Sequence, residues 1–282
     1  MNAGATWHDL SRAELDREYD NRAKVPDSAQ QLAWYGRRSA ETREALGGAL
    51  DVRYGPHEAE TLDIFGAGLP AGRPVNVFFH GGYWRAMHKD DFSFVANAFV
   101  PAGALAVVVN YALVPAVDMD ELVAQCRRAM AWLYHNIADH GGDPGRLFVS
   151  GHSAGGHLVA MLMATDWPAV DAGCPADLVA GGLGISGLYD LEPIRLCFLN
   201  ESPGLDHEAA RRNSPLHLQR RVGGELVLAY GGEEGEEYAW QSNALARAWE
   251  RTRSRSWRDM TISPSCGSST IPAWPSRASP SR

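Results

Sequence analysis

The chain has 282 residues, of which 45% are hydrophobic and 21% are charged, a composition typical of a globular protein. Its formal net charge of -8 argues against a nucleic-acid partner, because phosphate binding needs clustered Lys and Arg. No segment approaches the roughly 20 apolar residues of a membrane span, and the polar N-terminus lacks the apolar core of a signal peptide.

The cysteines are scattered along the chain and form no CxxC pair; they are Cys126, Cys174, Cys197 and Cys266. This usage is typical of free thiols in a reducing compartment rather than of a disulfide framework or a zinc site. We therefore expect a cytoplasmic protein, with neither nucleic acid nor membrane among its partners. Whether the chain forms a homodimer is left open by the sequence.

Hydrophobic patterning predicts an alternation of strands and helices. The first 45 or so residues are expected to form amphipathic helices that dock on the core. Strands are expected at 50–55, 60–66, 74–79, 104–113 and 146–151, within 178–191, and at 225–230. Helices are expected at 91–103, 119–142, 154–165 and 238–251. Nearly continuous apolar strands between helices predict one α/β domain over 1–252, with a mostly parallel sheet covered by helices on both faces.

The segment "GHSAG" (151–155) lies between an expected strand and an expected helix. In this setting a G-x-S-x-G element is typical of a nucleophile elbow, which presents a serine hydroxyl on a sharp turn at the end of a sheet. Ser153 is therefore the candidate nucleophile. The flanking His152 and His157 are expected to be scaffold residues, because the base in such a fold comes from a separate loop.

The segment "HGGYW" (80–84) directly follows the strand 74–79. Glycines at this place can present backbone N–H groups to a developing oxyanion. The candidate donors are Gly81 or Gly82, together with Ala154. Tyr83 and Trp84 are expected either to line a pocket for an aromatic substrate or to pack within the loop.

A catalytic acid is expected after a later strand, because chain order in this fold is Ser, acid, His. The segment "VLAYGGEEGEEY" offers four carboxylates at this place, those of Glu233, Glu234, Glu236 and Glu237. Spacing alone does not choose among them.

Several segments together resemble the kynurenine formamidase (arylformamidase) branch of the α/β-hydrolases, from about residue 12 to about residue 250. The segments are "LDREYDNRAKVPD", "VFFHGGYWRAMHKDDFSFVA", "VVVNYALVPAVDMDELV", "VSGHSAGGHLVAM" and "GISGLYDLEPIR". The resemblance implies an α/β-hydrolase fold and hydrolysis of N-formylkynurenine to kynurenine and formate in tryptophan catabolism. It implies a small aromatic acyl substrate and no metal or organic cofactor. It also places Ser153 as the nucleophile and Glu234 as the acid, a Glu where the family has Asp.

The family's catalytic histidine lies near the C-terminus, but this sequence has no histidine after His217. Residues 253–282 form an atypical tail, rich in Ser and Pro near its end and similar in composition to a disordered segment. Codons for 257–265 read in another frame allow Ala-Gly-His-Asp-His-Phe-Thr, which matches the family segment. We therefore hypothesise a frameshift near 254–257 that removed the base and impaired the enzyme.

Two other functions remain open at this level. The same serine machinery serves a general carboxylesterase or aryl amidase, which would accept acyl groups larger than formyl. A hydrolase-fold protein that lacks its base could also be a binding protein without catalysis.

Overall fold

A computed structural model of the protein describes residues 7–68 and 70–257. Within these residues the chain forms an eight-stranded sheet in the order β1-β2-β4-β3-β5-β6-β7-β8. The strands are β1 Ala49–Arg53, β2 Thr61–Phe65, β3 Arg73–Phe79, β4 Leu105–Val109, β5 Gly142–His152, β6 Val179–Ile185, β7 Glu225–Gly231 and β8 Thr252–Trp257. The first two strands run antiparallel to their neighbours, and β4, β3, β5, β6, β7 and β8 are parallel.

The helices connect the strands and precede the sheet. They are α1 Arg12–Tyr19, α2 Asn21–Lys24, α3 Ser28–Leu46, α4 Ala96–Phe99, α5 Met119–Asn136, α6 Ala154–Met163, α7 Trp167–Val170, α8 Glu192–Leu196, α9 His207–Arg212 and α10 Glu236–Ala248. Short 3-10 turns occupy Trp7–Asp9, Lys89–Asp91, Ser93–Val95, Ile137–His140, Phe198–Glu201 and Pro215–His217. None of the helices in the described ranges has the length and apolarity that a membrane crossing requires.

The predicted α/β class with a mostly parallel sheet is confirmed. Alternate strand residues enter two separate cores, because successive side chains of a strand point to opposite faces. Val77 and Val107 join the larger core with α5 and α6, whereas Phe78 and Val108 join a smaller one with Phe92 and the α3 side chain Tyr35. Both faces of the sheet are therefore covered.

The prediction of one helix over 91–103 is wrong in extent. The structure has only the 3-10 turn Ser93–Val95 followed by the single turn α4. The aromatic rings of Phe92 and Phe94 turn towards Tyr35 instead of following one helical stripe. The tail expected from residue 253 begins inside β8, and its remainder, 258–282, lies outside the described residues.

A buried lysine anchors the segment that follows the HGGYW loop. Lys89 is 1% exposed, and its Nζ lies 2.8 Å from Asp51 and 2.8 Å from Asp63. Asp63 sits on β2 and is itself fully buried, while Asp51 belongs to β1. Because a buried charge is stable only when it is paired, this contact ties the loop after β3 to the antiparallel edge of the sheet.

The N-terminal helices meet α10 through a buried carboxyl. The Tyr19 hydroxyl donates a hydrogen bond of 3.0 Å to Glu237, and both side chains are almost fully buried. Gln241 donates to the Tyr19 hydroxyl and to the Asp190 carbonyl. Burial, together with the charges of Glu18, Asp190 and Glu236, raises the pKa of Glu237 from 4.5 to about 7.

We expect Glu237→Gln to stabilise the fold at pH 8 but not at pH 5. The folded-state pKa of Glu237 is raised, so the stability penalty of ionising this carboxyl grows as pH rises from about 4.5 to 7. At pH 8 the variant should gain about 2–4 kcal/mol in the free energy of unfolding. Urea unfolding at the two pH values measures this. The exposed Glu233→Gln is the control, and an equal change for Glu237→Gln at both pH values would contradict the account.

Candidate active site

Ser153 lies on a tight turn between β5 and α6. Its backbone has φ 56° and ψ -119°, a strained conformation that is rare for a non-glycine residue. Two backbone hydrogen bonds hold the turn: the Ser153 N–H donates 2.7 Å to the Ile185 carbonyl, and the His157 N–H donates 3.1 Å to the Ser153 carbonyl. The side chain is 8% exposed. This is the geometry of a nucleophile elbow.

Gly155 lets the elbow lie directly against the end of β3. A Cβ atom at this position would stand 1.9 Å from the Phe79 carbonyl oxygen and 2.9 Å from the His80 carbonyl oxygen. No side chain fits at such distances, so the first turn of α6 can meet the backbone of β3 only through a glycine. The contact brings the residues after β3 beside Ser153.

The glycines after β3 lie next to the serine. A Cβ on Gly81 would stand 3.2 Å from the Ser153 Cβ. Within the described residues, the N–H groups of Gly81 and Gly82 donate no hydrogen bond. Ala154 is the first residue of α6, so its N–H has no partner within the helix. Gly81 and Ala154 therefore lie beside Ser153, and Gly82 follows Gly81 in the same loop.

Two buried neutral histidines support this loop. The His80 ring lies 2.8 Å from the Gly81 carbonyl through Nδ1, which must carry the proton because a carbonyl only accepts. His157 accepts from the Trp84 indole at 3.2 Å and donates 2.7 Å to the Asn213 carbonyl. Burial lowers the pKa of both histidines to about 4. Both are therefore neutral at pH 7. Both ring nitrogens of His157 and Nδ1 of His80 are engaged in the scaffold, whereas His80 Nε2 is buried without a hydrogen-bond partner among the described residues.

The two aromatic side chains of the loop face structural partners. Trp84 is 1% exposed and its indole is bonded to His157, which favours packing over substrate contact. The Tyr83 hydroxyl donates 2.8 Å to the Tyr19 carbonyl and lies 2.7 Å from the Tyr238 hydroxyl. Asn21 donates to both tyrosine hydroxyls, at 3.0 and 2.7 Å. The Asn21 amide, which the sequence pattern did not single out, therefore joins the HGGYW loop to α10.

Glu234 is the acidic residue fixed at the carboxyl edge of the sheet. Both of its carboxylate oxygens lie 2.7 Å from the Ser186 hydroxyl, and one accepts 2.9 Å from the Gly231 N–H. Ser186 directly follows β6, with φ 50°. Sequence analysis missed Ser186, although a Ser-Gly pair just after an apolar strand is a signal for such a turn.

The other candidate carboxylates are placed differently. Glu233 and Glu236 are exposed, and Glu237 is buried against Tyr19. Burial lowers the pKa of His152, and the negative charge of Glu234 opposes this shift. Glu234 thus acts electrostatically on the residue next to the nucleophile, which favours it over its neighbours as the acid.

β8, the last strand of the described residues, ends next to the loop that holds the Glu234 carboxylate. Trp257 is paired in register with Gly231, and β8 runs parallel to β7. A base expected after β8 would therefore start from a position next to the Gly231–Glu234 loop. That part of the chain, with its hypothesised frameshift, lies outside the described residues.

These elements and this elbow define a protein of the α/β-hydrolase class, and a family model described as an alpha/beta hydrolase fold matches residues 76–211. Kynurenine formamidase of Danio rerio is 32% identical over 259 residues, covering 86% of this chain and 85% of its own. The Salmo salar kynurenine formamidase is 30% identical over 261 residues, covering 87% and 85%. The chain belongs to the kynurenine formamidase family, and it is a hydrolase.

Esterases are also similar to the chain. Esterase LipQ of Mycobacterium tuberculosis is 34% identical over 170 residues, covering 57% of this chain and 40% of its own. A crystal structure of a thioesterase candidate from Silicibacter superposes with a TM-score of 0.76 at 30% identity, covering 86% of this chain and 90% of that one. Esterase B of Lactobacillus rhamnosis, at 19% identity and TM-score 0.66, shares the fold and covers 86% and 84%.

We expect Gly155→Ala to lower the free energy of unfolding by more than about 2 kcal/mol, because its methyl group has no room against the Phe79 carbonyl. Gly36→Ala is the matched control: it lies in α3 with nothing within 4 Å of its Cβ position. There the substitution should stabilise the helix by about 0.5–1 kcal/mol. Thermal and urea unfolding measure both variants, and similar changes in the two would contradict the close approach.

Proposed function

We propose that the chain is built to cleave aryl formamides, with N-formylkynurenine as the substrate and kynurenine and formate as the products. The observation that carries this proposal is the position of Ser153, strained on its elbow beside the unpaired N–H groups of Gly81 and Gly82. Similarity to kynurenine formamidases over most of both chains supports the substrate class. Buried free thiols at Cys126, Cys174 and Cys197 are consistent with a cytoplasmic location.

The reaction is acyl transfer through a formyl-enzyme. The Ser153 hydroxyl attacks the formyl carbon while its proton passes to a base, and the carbonyl oxygen becomes an oxyanion held by N–H groups of Gly81 or Gly82 and Ala154. The C–N bond then breaks, and the base returns the proton to the leaving aryl amine. Water adds to the formyl ester, and formate leaves as Ser153 regains its proton.

Glu234 has the role of the acid that orients the base. Three hydrogen-bond contacts fix its carboxylate, two from the Ser186 hydroxyl and one from the Gly231 N–H. The base itself would follow β8, but the sequence after His217 has no histidine. The proposal thus assigns a nucleophile, oxyanion donors and an acid to a sequence without a histidine at the place of the base, and we expect its unaided turnover to be low.

A general carboxylesterase is the second candidate, favoured by the similarity to Esterase LipQ over 170 residues. The machinery is the same, and the two functions differ in the room left for the acyl group. A formyl group needs space for one hydrogen beyond the carbonyl, whereas an acetyl or butyryl group needs an acyl pocket.

We expect added imidazole to restore hydrolysis of aryl formamides by this chain, because a diffusing base can take the Ser153 proton next to Glu234. The rate above the imidazole background should rise with imidazole concentration. It should be larger for formyl than for acetyl or butyryl derivatives of the same arylamine. Release of the arylamine, followed by absorbance, measures all three.

Two variants test the roles of the nucleophile and of the acid separately. Ser153→Ala should remove the enzyme-dependent rate, and Glu234→Gln should lower it at least about tenfold while the fold remains intact by circular dichroism. A rate unchanged in Ser153→Ala would rule out the nucleophile. Preference for the larger acyl groups would assign the chain to the esterases instead.

A further inference from the structure

Three side chains that can ligate a metal meet on the surface between α5 and the turn that leads into β6. They are His135 at the end of α5, and Asp171 and Cys174 in the segment after α7. One ligand atom from each, an imidazole nitrogen, a carboxylate oxygen and the thiol sulfur, lie within 4.8 Å of one another. Two of them already touch: His135 Nε2 lies 3.1 Å from an Asp171 carboxylate oxygen.

The turn at 171–174 brings the side chains of Asp171 and Cys174 close together. The Cys174 N–H donates 2.9 Å to the Asp171 carbonyl, so residues 171–174 form a closed turn with the first and fourth side chains together. The D-x-x-C spacing is the spacing with which short loops supply paired ligands to zinc, and the third ligand comes from a helix. The other Asp171 carboxylate oxygen accepts 2.8 Å from the Gly173 N–H, which fixes this side chain beside Cys174, and His135 faces the pair from α5.

Gly173 leaves the room that the imidazole needs. A Cβ on this residue would stand 2.9 Å from Cε1 of His135 and 3.1 Å from the Asp171 carboxylate oxygen Oδ1. A side chain at position 173 would make the half-exposed His135 ring shift. The glycine therefore favours the close approach of His135 to the turn.

The thiol is buried at the edge of the cluster and belongs to the main hydrophobic core. Cys174 is 4% exposed. Among the residues that the structure describes, no group makes a hydrogen bond to its sulfur, and its thiol is not in a disulfide. Burial and the negative charge of Asp171 raise the pKa of this thiol, so the proton leaves only when a cation takes its place. Its sulfur lies within 4.8 Å of both the imidazole nitrogen and the carboxylate oxygen, so a thiol, an imidazole and a carboxylate converge on one point.

We propose that His135, Asp171 and Cys174 bind a zinc ion, with water as the fourth ligand. Tetrahedral zinc with bonds of about 2.0–2.3 Å places its ligand atoms about 3.3–3.8 Å apart, so the three groups need to close by at most about 1.5 Å. The thiol loses its proton to solvent on binding, and the thiolate and the carboxylate together balance the charge of Zn²⁺. A mixed nitrogen, oxygen and sulfur set suits zinc better than calcium or magnesium, which prefer oxygen alone.

The site is structural and separate from Ser153. Helix α6 starts at the elbow and runs for ten residues, about 15 Å, before α7 and the 171–174 turn. The turn then leads to Val179 at the start of β6, and α5 leads to the start of β5. The three ligands therefore lie towards the amino ends of the strands, whereas Ser153 lies at their carboxyl ends. Bound zinc would cross-link α5 to the turn.

Cobalt and zinc binding to the full chain test the proposal. The chain is stripped with a chelator, kept reduced without added thiols, and titrated with Co²⁺ and with Zn²⁺ against a chromophoric chelator. We expect one ion per chain, a near-ultraviolet thiolate-to-cobalt charge-transfer band, and a higher melting temperature with Zn²⁺. Cys174→Ser should abolish the charge-transfer band, and His135→Ala should weaken zinc binding at least about tenfold.

Matched controls make each outcome decisive. His140→Ala removes a histidine outside the cluster, and Cys266→Ala removes another thiol; both should leave binding unchanged. His135 is half exposed, so its loss should leave the fold intact, and Asp171→Asn provides a second surface variant. Absence of binding, equal affinity in His135→Ala and the unchanged chain, or a band lost in Cys266→Ala instead would each overturn the proposal.

Discussion

The contact between Gly155 and the end of β3 is the constraint on which the active site depends. Parallel pairing of β3 and β5 brings two carboxyl ends side by side, but it does not by itself bring a serine to a set of N–H groups. The elbow does so, because the first turn of α6 presses on the Phe79 and His80 carbonyls through a position without a side chain. The strain at Ser153 is maintained by this contact and by the hydrogen bond from Ser153 to Ile185.

A second layer of polar contacts then fixes the loops around the elbow. His157 ties Trp84 to the segment after α9, and Asn21 ties Tyr83 to Tyr238 on α10. The N-terminal helices are therefore part of the site's support, since they hold both the oxyanion loop and the helix that follows Glu234. This support consists of neutral groups that are hydrogen-bonded to one another, which hold a loop without adding a charge near the reaction.

The fold could be predicted, and candidate site residues could be proposed, because both depend on local signals. Each of these signals lies within a short stretch of sequence: the apolar runs of strand length, the apolar stripes at helical spacing, and the two glycine motifs. The role of Ser186, the engagement of Tyr83 by Asn21, and the meeting of His135 with Cys174 depend on contacts between distant parts of the chain. The helix expected over 91–103 does not form over its full length, because the aromatic side chains of this segment pack on α3. This tertiary packing outweighs helix propensity. Among the four carboxylates, Glu234 is favoured by its contact with Ser186 and by its charge near His152.

The central claim is that Ser153, its oxyanion donors and Glu234 form an intact site that lacks only a base after β8. The most direct measurement is turnover of N-formylkynurenine by the chain as it stands, beside a version in which the residues after Trp257 are read in the alternative frame. The account predicts that the restored frame raises kcat at least about a thousandfold, with Ser153→Ala removing the gain. Equal turnover by the two chains would contradict it and would place the base elsewhere in the fold.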